Sequence, residues 1–98
     1  MNAELFKALA HPARLAILKY LAETKTCING DFAEALPLSR TTVNQHLAEL
    51  KDAGLIISHT EGAKTFYCLN HKKICELEKV AMAFISEISF PEDFICKP

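Results

Sequence analysis

The stretch from Pro37 to Gly54, PLSRTTVNQHLAELKDAG, constrains this chain more than any other. Pro37 stops a preceding helix from running through. Ser39 offers a hydroxyl that accepts a bond from one of the first free amides of a new helix. Gly54 is free to take the left-handed conformation that ends one. Between them Val43, Leu47 and Leu50 recur at helical spacing as one apolar stripe. With Val43 set inward and about 100° per residue, Thr41, Asn44, Gln45 and Ala48 face outward and Arg40 lies on the flank. No acid occurs between Glu34 and Glu49. An ordinary solvated face carries Lys and Glu pairs, and this one carries neither through Ala48. Short hydrogen-bonding side chains, an alanine and a cation suit a DNA major groove. There Asn and Gln read adenine, Arg reads guanine, and Thr or Ala meets a thymine methyl.

At 98 residues the sequence is read as a single domain, 1–98. Half of it is hydrophobic, more than so small a globule hides efficiently, so part of that surface is expected in a subunit interface. The net charge is −1; residues 1–38 and 39–70 are each neutral, and 71–98 carry the excess acid. Attraction to DNA therefore has to come from local placement of Arg40, Lys51 and Lys64, not from a global field. The start, MNAELFKALAHPARL, lacks a basic region followed by an apolar run, and no apolar run approaches membrane-spanning length. The expectation is a cytoplasmic protein with no membrane partner and with reduced thiols. The four cysteines, at 27, 68, 75 and 96, form no Cys-x-x-Cys pair, so no closed structural zinc site is expected.

In chain order, residues 3–10 read as a short helix with Leu5, Phe6 and Leu9 on one face. His11-Pro12 breaks it, and Pro12 opens a second helix over Ala13 to Glu23 with a broad apolar arc of Leu15, Ile17, Leu18 and Leu21. A third helix is expected from about Asn29 to Leu36, with Phe32, Ala35 and Leu36 inward. The tight turn Leu36-Pro37-Leu38 then gives a helix-turn-helix. Leu55–His59 and Thr65–Leu69 are strand-like runs around a Gly-containing loop, Thr60–Lys64. A hairpin after a helix-turn-helix is a wing, and Lys64 is the cation at its tip. From His71 to about Ser89, Ile74, Leu77, Ala81, Phe84, Ile85 and Ile88 follow helical spacing, with Val80 and Ala83 widening the stripe. One small domain has no room to cover that stripe. The helix is therefore read as a dimer seam packed with Leu5, Phe6 and Leu9; completing the monomer core is the alternative. The tail, Phe90 to Pro98, reads as irregular chain that docks through Phe90, Phe94 and Ile95.

Taken in order, LFKALAHPARLAILKYL, LSRTTVNQHLAELKDAGLI, a hairpin around Glu61-Gly62 and an apolar helix resemble the ArsR family of bacterial winged-helix repressors. The likeness spans about residues 3 to 89. It implies a mainly α fold with a small β-hairpin, a winged helix-turn-helix dimerising through its N- and C-terminal helices. It implies a recognition helix over 39–53, a wing over 55–69 and a dimerisation helix over 71–89. It also implies a homodimer that represses transcription from double-stranded operator DNA and releases it when a metal, metalloid or oxidant binds. Ser39, Arg40, Thr41, Asn44 and Gln45 fall at DNA-contacting positions, and Thr42 is a phosphate candidate. Lys51 and Lys64 are backbone contacts. His46, about 60° from Val43, reads as a packing histidine.

The departures from the family bear on the effector. Soft-metal and arsenite sensors of the family often carry Cys-x-Cys near the third helix; here Cys27 remains and Asn29 holds the second position. An amide oxygen is a poor substitute for thiolate. Zinc sensors carry D-x-H…H-x-x-E on the last helix; here His71 stands alone at its start. Ala63 occupies the place of a common wing arginine. Cys27 with Cys96 or Cys75 makes a thiol effector site for arsenite, a soft metal ion or an oxidant. The competing reading has the cysteines as small core hydrophobes, with Cys68 structural. An enzyme is not expected: no cysteine and histidine pair at a recognisable spacing, and no Gly-rich phosphate loop occurs. A winged-helix dimer that serves as an interaction module without binding DNA is the second class, compatible with the neutral charge.

Overall fold

Pro12 sits at the first turn of a helix, where its missing amide hydrogen costs nothing, and His11 caps that helix by accepting from the Ala13 amide at 3.0 Å through Nδ1. The computed structural model describes residues 3–24, 27–30 and 36–89. Over these the chain runs α1 (Ala3–Leu9), α2 (Pro12–Thr24), β1 (Ile28–Asn29), α3 (Arg40–Asp52), β2 (Ile56–Glu61), β3 (Lys64–Leu69) and α4 (His71–Ile88). The strands form one antiparallel sheet in the order β1-β3-β2.

The apolar stripes predicted from spacing meet in one core: Leu5 and Ala8 of α1, Ile17 and Leu21 of α2, Val43, Leu47 and Leu50 of α3, then Leu55 and Ile56. Full burial of a Leu or Ile side chain contributes about 1.5–3 kcal/mol. Leu15 departs from the expected arc and stays half-exposed. Arg14 ties the first three helices together: its Nη1 donates to the Lys7 carbonyl at 3.1 Å, and its Nε donates to His46 Nδ1 at 3.2 Å.

α3 ends as its glycine predicts. Gly54 has φ +82°, its amide donates to the Lys51 carbonyl, and the Leu55 amide donates to the Leu50 carbonyl. This is the paired-bond helix stop in which the apolar residue after the glycine packs on the last turn, and Leu50 and Leu55 are both fully buried. The hairpin loop is shorter than the sequence reading: Glu61 pairs with Lys64, leaving Gly62 and Ala63 as the turn. Gly62 has φ +63°, the sign that two-residue hairpin turns require at their first position.

Asn70 fixes the start of α4, accepting from the Lys73 amide and donating through Nδ2 to the Gly54 carbonyl at 2.9 Å. Ile74, Leu77 and Val80 lean on the core, and the Phe84 ring lies 5.7 Å from that of Phe6. No α4 residue is fully buried, and Met82, Ile85 and Ile88 are more than half exposed. Leu5, expected in the dimer seam, is instead 1% exposed in the single chain; it belongs to the core because α1 turns that face onto α2 and α3. No helix of the described residues is long and apolar enough to cross a membrane.

Two further expectations change. The helix predicted from Asn29 does not begin there: Ile28 and Asn29 pair with Tyr67 and Phe66 as β1. The rest of that expected helix, 31–35, and the tail from 90 onward lie outside the described residues.

Candidate nucleic-acid interface

α3 begins at a cap that the sequence specified. Ser39 Oγ accepts from the Thr42 amide at 3.2 Å and donates to Thr42 Oγ1 at 2.8 Å. A serine cap of this kind is worth about 1 kcal/mol. It also holds the Thr42 hydroxyl at the positive end of the helix, where an anion is favoured. Beyond the cap, the outward set is the one the wheel predicts. Arg40, Thr41, Asn44, Gln45 and Ala48 are exposed, while Val43, His46, Leu47 and Leu50 are buried. Lys51, in the last turn, is exposed.

The sheet sets the wing beside this face. A cleft of about 330 Å³ is bounded on one wall by Arg40 and Asn44, and on the other by Ala63, Lys64 and Thr65, with Asn29 and Tyr67 at its base. Arg40, Asn44 and Lys64, chosen separately from the sequence, therefore border one depression. The wing is less cationic than Lys64 alone suggests, because Glu61 stands opposite it in register. The sequence reading did not place Asn29 or Tyr67 at this cleft, because only the β1–β3 pairing brings them here.

His46 is a buried polar group on the inner side of α3, at 7% exposure. Its ring centroid lies 4.2 Å from that of His11. Burial lowers its pKa below the ordinary 6.5, and the His11 and Arg14 charges lower it further against a smaller opposing pull from Glu49. Geometry gives the same answer: Nδ1 accepts from Arg14, so it must be unprotonated, and the neutral ring carries its proton on Nε2. That Nε2 is buried with no hydrogen-bond partner among the described residues. The sequence reading gave His11 and Arg14 no part in enclosing His46; the Arg14–His46 contact spans 32 residues.

The thiols are arranged otherwise than expected. Cys27 is joined to Cys68 by a disulfide, with Cα atoms 4.4 Å apart. Cys75 is free and exposed on α4, and Cys96 lies outside the described residues. The expectation of reduced thiols is corrected for Cys27 and Cys68; Cys27 is paired with Cys68 and not with Cys75, and the bridge gives Cys68 the structural role expected of it. β1 extends the sheet next to β3, so the residue before Ile28 comes to lie against the residue after Tyr67.

A family model described as a helix-turn-helix domain matches residues 9–59. The HTH-type transcriptional regulator MJ1325 of Methanocaldococcus jannaschii is 36% identical over 80% of this chain and 88% of its own length. Among solved structures, an ArsR-like transcriptional regulator from Rhodococcus sp. RHA1 superposes with a TM-score of 0.72 at 26% identity, covering 87% of this chain and 79% of that one. A homodimeric winged helix-turn-helix DNA-binding domain from Mycobacterium bovis, a possible ArsR-family regulator, gives 0.66 at 29% identity over 87% and 78%. These are proteins of gene regulation, not enzymes. With the capped polar helix and the adjoining wing, they settle the family: this chain belongs to the ArsR family of winged helix-turn-helix transcriptional regulators.

Proposed function

We propose that the chain is a homodimeric, sequence-specific transcriptional repressor that binds double-stranded operator DNA in the cytoplasm. The observation that carries this reading is the exposed face of α3, free of acid from Arg40 through Ala48, with Arg40 and Asn44 in one cleft with Lys64 of the wing. Two copies of α3 enter successive major grooves about one helical turn, ~34 Å, apart. Arg40, Thr41, Asn44 and Gln45 read base edges with Ser39 at their rim, while Thr42, Lys51 and Lys64 hold phosphates and set register. The dimer is supported by the homodimeric Mycobacterium bovis relative and by the uncovered apolar side of α4. Phe6, Ala81, Phe84, Ile85 and Ile88 form the seam, with the part-exposed edges of Leu9, Leu77 and Val80, which also pack on the chain's own core, beside them. An effector acting on thiols, whether a soft metal ion, arsenite or an oxidant, releases DNA by binding more tightly to a dimer whose two α3 helices no longer match the groove spacing.

The direct test is a footprint and a salt-dependent gel shift on DNA flanking the gene. The expected outcome is a two-fold protected site with half-sites about one turn apart and an affinity that falls steeply with salt. A dimer that protects no DNA at any salt would instead be an interaction module.

A further inference from the structure

On the face of the sheet turned away from the core, three chemically reactive side chains converge. Cys27 and Cys68 lie side by side across β1 and β3, and His59 lies on β2, two residues from Ile57, which pairs with Cys68. Alternate residues of a strand share a face, so His59 stands beside the sulfurs. Its ring nitrogen and the two Sγ atoms all lie within 4.8 Å of one another. Donors bound to one zinc-class ion sit roughly 3.5–4 Å apart, given bond lengths of about 2.3 Å to sulfur and 2.0–2.1 Å to nitrogen. Only small side-chain rotations separate the present arrangement from that one.

We propose that in the reduced protein Cys27, Cys68 and His59 bind a single thiophilic dipositive cation, and that the disulfide is the closed, metal-free form of the same site. Two thiolates and an imidazole are a donor set that selects borderline and soft cations over Mg²⁺ or Ca²⁺. His59 is held for the task. It stacks on Phe66 at 5.5 Å between centroids and 12° between planes, and Glu61 Oε1 lies 3.5 Å from its Nε2. A carboxylate beside a ligating histidine orients the ring and raises its basicity. Cys27 and His59 are exposed, so the ion has a path in. An apolar cleft of about 530 Å³, walled by Leu21, Ile57 and Leu69, adjoins the sulfurs and lowers the local dielectric.

The two states interconvert with balanced chemistry. Two equivalents of a small-molecule thiol break the Cys27–Cys68 bond and leave as their own disulfide, while the two protein sulfurs gain two electrons and two protons. The cation then displaces both thiol protons, so tighter binding at higher pH is expected. In either state the site ties the entry to β1 to β3; Asn29, two residues after Cys27, and Tyr67, next to Cys68, line the cleft beside Arg40 and Asn44. Control of DNA through this site rests on the repressor reading above; cation binding itself does not.

The test is a Cd²⁺ titration of the full chain carrying Cys75→Ser and Cys96→Ser, reduced with a phosphine and followed by the thiolate-to-cadmium charge-transfer band. One equivalent should saturate the band. Cys27→Ser or Cys68→Ser should weaken binding by more than about 100-fold and Glu61→Gln by about 10-fold or more, since losing the partner that orients a metal-bound histidine costs roughly 10- to 100-fold. On the wild-type chain, one bound Cd²⁺ should block closure of the Cys27–Cys68 bridge by a small-molecule disulfide, read as the missing two-hydrogen mass loss. Saturation at no defined stoichiometry, binding untouched by Cys68→Ser, or bridge closure unaffected by Cd²⁺ would each overturn the proposal. DNA binding measured on the same samples keeps a failure here distinct from a failure of the repressor reading.

Discussion

His46 shows how much a single residue carries. The helical wheel puts it at the edge of the buried side, and there it is buried. What the wheel cannot reveal is that Arg14 and His11, more than thirty residues earlier, enclose it. Protonation of His46 would turn its Nδ1 from acceptor to donor against a guanidinium and put charge in a desolvated site. Its folded pKa is therefore below the ordinary 6.5, so the unfolded chain binds the proton more readily. The sign follows from linkage: the His46 contribution is fully present above the unfolded pKa and is lost as pH falls through the folded one. Urea midpoints of the wild type should thus drop between about pH 7.5 and pH 5 by more than those of His46→Gln, which takes up no proton at this position. Equal drops would show that His46 binds its proton equally well in the folded and the unfolded chain. The Arg14–His46 contact joins α2 to α3, so acid weakens that joint.

Elements of regular spacing were legible, and elements made by pairing were not. α3 carries its own cap, stripe and glycine stop, all within 16 residues of sequence from Ser39 to Gly54, so its face could be read residue by residue. The hairpin was legible from two β-branched or aromatic runs around a glycine. β1 was not: two residues have no periodicity, and Ile28 and Asn29 become a strand only because Tyr67 and Phe66 offer a ladder nearly forty residues later. The Cys27–Cys68 pairing, separated by 41 positions, was invisible for the same reason. α4 was correctly bounded, but its stripe divides between two uses. Leu77 and Val80 serve the chain's own core, while Met82, Ile85 and Ile88 remain uncovered. Ile85→Glu should therefore leave the helical circular dichroism unchanged while weakening self-association by at least about 1.5 kcal/mol per copy, the lower figure for burying such a side chain. Sedimentation velocity across a concentration series checks this. An unchanged dimer would place the seam elsewhere.

For the whole molecule, the net charge of −1 supplies no general attraction to DNA, and Glu61 stands opposite Lys64 at the wing. In the proposed function, binding comes from a few cations, Arg40 among them, set around the uncharged side chains of Thr41, Asn44 and Gln45, and that division of labour is itself testable. Base-edge contacts carry sequence preference, whereas phosphate contacts carry affinity common to all sequences. The decisive measurement is the affinity of wild type, Gln45→Ala and Lys64→Ala for the operator and for a scrambled duplex, each across a range of salt. Gln45→Ala should lose about 1–3 kcal/mol on the operator and almost nothing on the scrambled duplex, with an unchanged salt slope. Lys64→Ala should weaken both duplexes alike and flatten the slope by about one unit per site. Equal losses for Gln45→Ala on both duplexes, or none on either, would contradict the assignment of the exposed α3 face as the surface that reads DNA.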